Sequence, residues 1–106
     1  MKTLTRNELK TMNEVEHEDF VLINVLPQET FREKHIRTSI NVPVDSSEFT
    51  QTVENVAGDK QRKLVVYCAN FDCDASSKAA DQLENAGFER VYDYEGGTED
   101  WFAKAA

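Results

Sequence analysis

The sequence predicts an α/β layered domain with a mainly parallel central sheet. Its 106 residues suit one domain spanning 1–106. Short and nearly continuous apolar runs occur at 20–25 and 64–67, as in strands that are covered on both faces. Segments with helical spacing separate these runs, and strands that alternate with helices are typical of parallel sheets.

A capping box marks the start of the first predicted helix. Thr5 and Glu8 have the spacing at which the hydroxyl and the carboxylate each accept a backbone N–H of the other residue. Leu9 and Met12 then form the predicted buried side of this helix. The apolar run at 20–25 is the first predicted strand.

Proline residues and helical spacing divide the next part of the chain. Segment 27–35 has helical composition, and Phe31 is its expected inward-facing residue. The second predicted strand covers 40–43 and stops at Pro43. A further helix is predicted to end at 58–59. Its apolar residues at helical spacing are Phe49, Val53 and Val56.

The C-terminal half repeats the alternation of strand and helix. A third strand at 64–67 leads directly into Cys68, and a helix follows at 76–86. Gly87 is expected at positive φ, where it ends this helix. A fourth strand at 91–94 precedes a Gly-Gly turn and a short helix whose tryptophan we expect in the core. The residues predicted to pack from the longer helix are Ala79, Ala80, Leu83 and Ala86.

Composition and charge argue against several classes of function. Twenty acidic residues against twelve Lys and Arg give a net charge of −8, which disfavours binding to nucleic acid or to an anionic membrane. The apolar runs are too short to span a bilayer, and the polar N-terminus lacks the apolar part of a secretion signal. Two cysteines are too few for a disulfide scaffold. We therefore expect a cytoplasmic protein that is a monomer or a weak dimer.

The segment between the third strand and the next helix is the candidate site. Ligands of open α/β sheets bind outside the carboxyl ends of the strands, and Cys68 stands at such an end. Inward-pointing loop amides and a helix N-terminus favour a thiolate, which is the nucleophilic form. An inert cysteine packed at the strand end is the alternative. The loop residues expected to supply these amides are Ala69, Asn70, Phe71, Asp72, Cys73 and Asp74.

Three blocks of the sequence, in order, resemble rhodanese-like domains and cover nearly the whole chain. They are 21–25 (VLINV), 31–36 (FREKHI) and 39–43 (SINVP), then 64–68 (LVVYC), 77–83 (SKAADQL) and 86–88 (AGF), and finally 94–101 (YEGGTEDW). The resemblance implies a single-domain sulfurtransferase fold of about five strands with helices on both faces. It also implies a persulfide on Cys68 that is formed from a sulfane-sulfur donor and passed to a thiol or protein acceptor, without a cofactor.

Three positions depart from the family pattern outside the loop. Asn24 stands where typical members carry an acid, Leu26 where they carry an Arg, and Lys34 where they carry a Gly. The changes at Asn24 and Leu26 remove the members of a familiar ion pair. We expect them to affect stability and loop support more than chemistry.

The loop itself also departs from the family pattern. Thiosulfate-using members usually hold the oxyanion with an Arg at the far end of this loop, but 69–77 contains no Arg or Lys. The loop is also about two residues longer than in compact members. Asp72 and Asp74 disfavour a thiolate and repel a dianion, so we expect weak use of thiosulfate.

Cys73 follows Cys68 on the same loop and leaves three interpretations open. It can resolve a Cys68 persulfide by forming a disulfide and releasing sulfide, or it can carry a second persulfide or a mixed disulfide. It can also be a packing residue under the helix. A zinc site that joins both cysteines to His17 and His35 lacks ligand spacing, so we expect no metal.

A second class of function stays open beside the sulfurtransferase. The chain can be a catalytically weak rhodanese-like binding or regulatory module whose acidic loop contacts a basic protein partner. Phe71 is consistent with either class, since it can shield the sulfur, contact a partner or fill the loop. A phosphatase or an arsenate reductase is disfavoured, because those enzymes need a loop Arg for a tetrahedral oxyanion.

Overall fold

The fold is an α/β arrangement, seen in a computed structural model that describes residues 2–15 and 19–103. Within these residues the elements are, in chain order, β1 (Lys2–Thr3), α1 (Arg6–Val15), β2 (Phe20–Asn24), α2 (Gln28–Glu33), β3 (Ile40–Asn41), α3 (Phe49–Ala57), β4 (Lys63–Tyr67), α4 (Ala75–Asn85), β5 (Val91–Tyr94) and α5 (Gly97–Phe102). No helix in this part of the chain is long and apolar enough to cross a membrane.

A parallel sheet forms the centre of the described structure. It contains five strands in the order β1-β5-β4-β2-β3 among the residues that are described, and each neighbouring pair is parallel. In the middle strand, Val66 lies beside Ile23 of β2 on one side and beside Asp93 of β5 on the other. The predicted α/β class, with a parallel sheet of about five strands, is confirmed. The carboxyl end of β4 therefore lies between two other strand ends.

Helices cover both faces of the sheet. Along β4 the side chains alternate, so that Leu64 and Val66 pack towards α3 and α4, whereas Val65 and Tyr67 pack towards α1. Burial on both faces explains why this strand is an unbroken apolar run. The helical and loop residues that fill the α3/α4 face include Phe49, Val53, Ala79 and Leu83, and those that fill the α1 face include Leu9, Met12 and Ile36.

The predicted capping box is present at the start of α1. The N–H of Thr5 donates to Glu8 Oε1 at 2.9 Å, and the N–H of Glu8 donates to Thr5 Oγ1 at 3.1 Å. These bonds satisfy two backbone groups that lack helical partners. Leu9 and Met12 lie on the buried side, as the spacing predicts.

Two expectations for the N-terminal part of the chain were wrong or incomplete. Phe31 is half-buried and stacks on His35 with ring centroids 3.9 Å apart, so it does not face the core. The core residue here is Ile36, which is fully buried and whose N–H donates to Tyr67 Oη at 3.0 Å. The reason is that α2 ends at Glu33 and contains no buried residue. The two-residue β1 is polar and exposed, so no apolar pattern predicts it.

The expected buried face of α3 was wrong by one position. Val56 is 44% exposed, whereas Ala57 is buried. The buried residues are spaced in steps of four, from Phe49 through Val53 to Ala57, because the face of the helix centred on Val53 rests on the sheet. Near the C-terminus, Trp101 is half-buried and packs edge-on against Tyr94.

Candidate active site

Cys68 comes directly after β4, at the carboxyl end of the central strand. Its carbonyl oxygen accepts two hydrogen bonds from Thr98, one from the N–H at 3.0 Å and one from Oγ1 at 3.1 Å. The carbonyl of Ala69 accepts the N–H of Glu99 at 2.9 Å. The first turn of α5 therefore fixes the backbone where the loop begins.

Gly97 makes this close approach possible. Its φ is +63°, and a Cβ built on it would lie 2.3 Å from the carbonyl oxygen of Cys68 and 2.7 Å from the carbonyl carbon of Ala69. An alanine would meet main chain, which cannot rotate away as a side chain can. The Gly-Gly turn is thus part of the site, because it sets the distance between α5 and the residue after β4.

The sulfur of Cys68 is buried beneath the loop. The residue is fully buried, its thiol donates to the carbonyl oxygen of Cys73 at 3.4 Å, and Sγ lies 3.6 Å from Ser76 Oγ. Burial raises the pKa of the Cys68 thiol, and the Cys73 side chain adds to the rise, while the hydroxyl and N–H of Ser76 lower it. With the loop closed in this way, Cys68 is held as a neutral thiol.

Ser76 connects Cys68 to a buried carboxyl group, Asp93 of β5. Ser76 and Asp93 are 2% and 1% exposed. Burial raises the pKa of Asp93, a hydrogen bond with Ser76 lowers it, and the charges of Glu95 and Asp81 add to the rise. Asp93 Oδ1 makes no hydrogen bond within the described part of the chain. The serine hydroxyl therefore stands between the sulfur and the carboxyl.

Ser76 and Asp93 are not among the site residues that the sequence predicts. The signal that was present is Asp93 itself, a lone acid in the apolar strand 91–94, since a carboxyl in a doubly covered strand must meet a polar partner. Ser76 gives no such signal, because a serine is common at a helix start. The strand register places Asp93 beside Val66, two residues before Cys68.

The loop amides are arranged differently from the expected cradle around the sulfur. Asn70 organises a turn: its Oδ1 accepts the N–H of Asp72 at 2.9 Å, and its carbonyl accepts the N–H of Cys73 at 3.1 Å. These two amides are therefore engaged within the loop, and the carbonyl of Cys73 faces the sulfur instead. The N–H of Ser76, in the first turn of α4, acts on Cys68 and lowers the pKa of its thiol.

The outer surface of the loop is acidic and carries an exposed aromatic ring. Phe71 is 70% exposed. Beside it lies a cavity of about 230 Å³, and its charged lining residues are Asp72, Glu99 and Asp100. Asp74 forms an exposed ion pair with Lys78, Nζ to Oδ2 3.4 Å. Any anion that approaches Cys68 by this side meets several carboxylates.

Cys73 is half-buried and packs against the same apolar cluster as Cys68. Both cysteines are free thiols. Of the histidines named for a zinc site, His17 lies outside the described residues, and His35 Nδ1 lies 2.7 Å from the carbonyl oxygen of Phe31. Across 2–15 and 19–103, no three His, Cys, Asp or Glu residues gather as metal ligands would.

The amino-acid sequence matches the model of one known protein family over almost its whole length. The sequence model of the rhodanese-like domain matches residues 5–104. The chain belongs to the rhodanese-like domain family. Thiosulfate sulfurtransferase GlpE of Coxiella burnetii is 28% identical over 98 residues, covering 92% of this chain and 85% of that protein. Similarity to sulfurtransferases supports a rhodanese-type sulfurtransferase at the level of the family.

Solved structures of rhodanese-like domains have the same fold. The rhodanese-like domain of an Anabaena sp. protein has a TM-score of 0.80 and 25% identity, covering 95% of this chain and 73% of that one. A single-domain sulfurtransferase of Saccharomyces cerevisiae has a TM-score of 0.79 over 98% of this chain and 90% of its own, at 20% identity. The second similarity concerns the fold alone.

Asn24 and Leu26, which depart from the rhodanese-like pattern, make local contacts at the end of β2. Asn24 is fully buried, and its Oδ1 accepts the N–H of Leu26 at 2.9 Å. Its Nδ2 has no hydrogen-bond partner within the described residues. Leu26 packs against the α3/α4 apolar cluster. A polar turn and an apolar contact thus stand where typical members carry an ion pair.

Proposed function

We propose that this rhodanese-like domain is a sulfurtransferase that takes up sulfane sulfur as a persulfide on Cys68 and passes it to a thiol or another nucleophilic acceptor. The observation that carries the proposal is the position of Cys68, which follows the central strand β4 with its sulfur 3.6 Å from Ser76 Oγ in the first turn of α4. A helix N-terminus and a hydroxyl donor stabilise negative charge on a sulfur at this position.

The proposed reaction consists of two displacements at sulfur. The Cys68 thiolate attacks the outer sulfur of a donor R–S–SH, which forms Cys68–S–SH and expels the thiolate RS⁻. An acceptor thiolate then attacks the outer sulfur of the Cys68 persulfide, which forms the acceptor persulfide and returns Cys68 as a thiolate. No electrons enter or leave in either step, and the proton of the Cys68 thiol leaves before the first attack.

We further propose that the donor is a neutral or protein-borne persulfide or polysulfide. Support comes from the outer loop surface, where Asp72 and the acids of α5 line the approach and 69–77 supplies no cation. Lys78 is the nearest cation along the chain, and it pairs with Asp74. Thiosulfate carries two negative charges and is repelled by such a surface.

The closed loop places one requirement on this reaction. Because Cys68 is fully buried, a donor can reach its sulfur only after the segment that carries Phe71 and Cys73 moves outwards. That movement breaks the contact between the Cys68 thiol and the Cys73 carbonyl, which opposes the thiolate. Opening and activation of Cys68 are therefore one event in the proposed mechanism.

The proposal is tested by following sulfur from a donor to an acceptor thiol with three forms of the protein. We expect parent protein and Cys73→Ser to transfer sulfur from glutathione persulfide to an added thiol, and Cys68→Ser to transfer none. The two variants make the same chemical change in one loop, so Cys73→Ser controls for damage to the loop. Transfer by Cys68→Ser at the parent rate contradicts the assignment of the nucleophile.

A second candidate function is a binding module that does not transfer sulfur. The observation that favours it is the exposed Phe71 beside several carboxylates, a combination that fits a basic protein segment with an apolar residue. Intact mass after incubation with sulfane donors separates the two functions. A binding module gives no sulfur adduct on Cys68 with any donor.

A further inference from the structure

The two cysteines of the chain meet inside one loop. The carbonyl oxygen of Cys73 lies 3.4 Å from Cys68 Sγ, and the Cys73 side chain packs against the apolar cluster that contains Cys68. Burial and the neighbouring Cys73 side chain both raise the pKa of the Cys68 thiol. Neither is in a disulfide. The chain thus holds a second thiol beside the proposed sulfur carrier, and the sulfurtransferase reaction does not use it.

The backbone of Cys73 lies close to the sulfur of Cys68. A carbonyl oxygen lies about 2.4 Å from the Cα of its own residue, so the Cα of Cys73 is within about 6 Å of Cys68 Sγ. A disulfide needs Cα atoms about 4.4 to 6.8 Å apart, so the bond requires that the loop bring the Cα of Cys73 within this range of the Cα of Cys68. Cys73 belongs to a loop whose outer residues are exposed, so a small rotation of its backbone can bring its side chain to Cys68.

We propose that Cys73 discharges the Cys68 persulfide, so that the protein also releases sulfide from sulfane sulfur and closes a Cys68–Cys73 disulfide. This inference rests on the proposed function, since it needs a persulfide on Cys68. It adds an activity to transfer, because the sulfur leaves as sulfide and not on an acceptor.

The reaction balances without an external oxidant. The Cys73 thiolate attacks Cys68 Sγ, the inner sulfur of the persulfide, and its electron pair forms the new disulfide bond. The electron pair of the old bond leaves with the outer sulfur as HS⁻, which keeps the persulfide proton, and the proton of Cys73 passes to water. The sulfane sulfur is reduced to sulfide, and the two cysteines are oxidised to a disulfide.

Burial determines which thiol attacks which sulfur. Cys68 Sγ is buried, so an external acceptor meets the outer sulfur of the persulfide first, and attack there is transfer. Cys73 approaches from within the loop and reaches the inner sulfur, where attack releases sulfide. The half-buried Cys73 is then the sulfur at which a thiol reductant opens the disulfide for another cycle.

The experiment loads the protein with sulfur from glutathione persulfide, removes the donor and measures sulfide and peptides over time without an acceptor. We expect parent protein to release sulfide in an amount equal to the Cys68 persulfide lost, and a non-reducing digest to contain a linked Cys68–Cys73 peptide. In Cys73→Ser we expect a persulfide lifetime longer by about tenfold or more, because an intramolecular thiol acts at an effective concentration of about millimolar or above. That variant should still transfer sulfur to an added thiol.

Two controls keep the result interpretable. Cys73→Ala repeats the test without a hydroxyl, and Ser77→Ala changes a half-buried neighbour whose hydroxyl donates to the carbonyl of Asp74 at 3.0 Å. Equal persulfide lifetimes in parent and both Cys73 variants overturn the inference alone, as does a persulfide found on the Cys73 peptide. A failure of every form to take up sulfur on Cys68 overturns the proposed function as well.

Discussion

The two ends of the loop that carries Cys68 differ in how the fold holds them. At the inner end, the carbonyls of Cys68 and Ala69 accept hydrogen bonds from the first turn of α5, and Gly97 allows α5 to touch the main chain. At the outer end, residues 71–74, the N–H groups of Asp72 and Cys73 bond to Asn70 of the same loop, Asp74 bonds to α4, and the acids and Phe71 are exposed. This difference shows that the fold fixes the position of the Cys68 sulfur. The outer end of the loop determines how a donor reaches that sulfur and which charges the donor meets.

The largest expected effect is at the inner end. Gly97→Ala places a Cβ against the Cys68 carbonyl at a positive φ, so we expect it to lower the free energy of unfolding by about 3 kcal/mol or more. Gly58→Ala is the matched control, because its φ is +90° but no atom lies within 4 Å of the added Cβ. It should cost only about 1 kcal/mol, from the backbone conformation. Equal losses in urea unfolding would show that the contact with Cys68 has no role.

The next effect concerns the hydroxyl that faces the sulfur. Ser76→Ala removes a group that lowers the pKa of Cys68, so we expect that pKa to rise and the thiolate population at neutral pH to fall. Thiolate absorbance against pH, measured in the Cys73→Ser background, reports Cys68 alone. Ser77→Ala, whose lost hydroxyl bonds to the carbonyl of Asp74 and not to Cys68, should leave the titration unchanged. An unchanged pKa of Cys68 in Ser76→Ala would show that Ser76 has no role in stabilising the thiolate.

Asp93 predicts a pH dependence of stability. The pKa of Asp93 in the folded protein lies above the ordinary 3.8, so the folded state binds the carboxyl proton more tightly than the unfolded state. The stabilisation from that proton is fully present below about pH 4 and is lost as the pH rises through the folded pKa. In Asp93→Asn this loss is absent. Relative to the parent, the variant should therefore gain stability as the pH rises from about 4 to the folded pKa of Asp93. Urea unfolding at several pH values measures this difference, and Asp45→Asn, an exposed acid before α3, is the control.

The smallest expected effect is at the outer end. Asp72→Asn removes a charge that lines the approach, so we expect thiosulfate to load Cys68 about threefold faster while a neutral persulfide loads it at the parent rate. Glu89→Gln changes an exposed acid just before β5, at the opposite end of the strands. If both variants increase the rate of Cys68 loading from thiosulfate equally, the effect comes from the net charge of the protein and not from the loop.

Local sequence patterns predicted those parts of the fold that depend on neighbouring residues. The capping box of Thr5 and Glu8 and the buried strand before Cys68 are examples. The same reasoning was wrong for Phe31 and Val56, because which face of a helix is buried depends on where the sheet lies.

The candidate site was predictable only in part. Its location after β4 follows from the strand order, but the contact between Ser76 and Asp93 joins two elements that no local pattern relates. The orientation of the Cys73 carbonyl towards the sulfur likewise depends on how Asn70 folds the loop. A sequence can name the residues of a loop, whereas its hydrogen bonds decide which atoms point inwards.

The central claim is that the fold presents Cys68 to sulfane sulfur while the outer end of the loop selects the donor. The most direct test is the mass of the Cys68 peptide after equal exposure of the parent protein to the persulfide of an uncharged thiol and to thiosulfate. The account predicts a gain of sulfur on that peptide, formed faster from the persulfide than from thiosulfate. Faster loading from thiosulfate, or no sulfur on Cys68 from either donor, would contradict it.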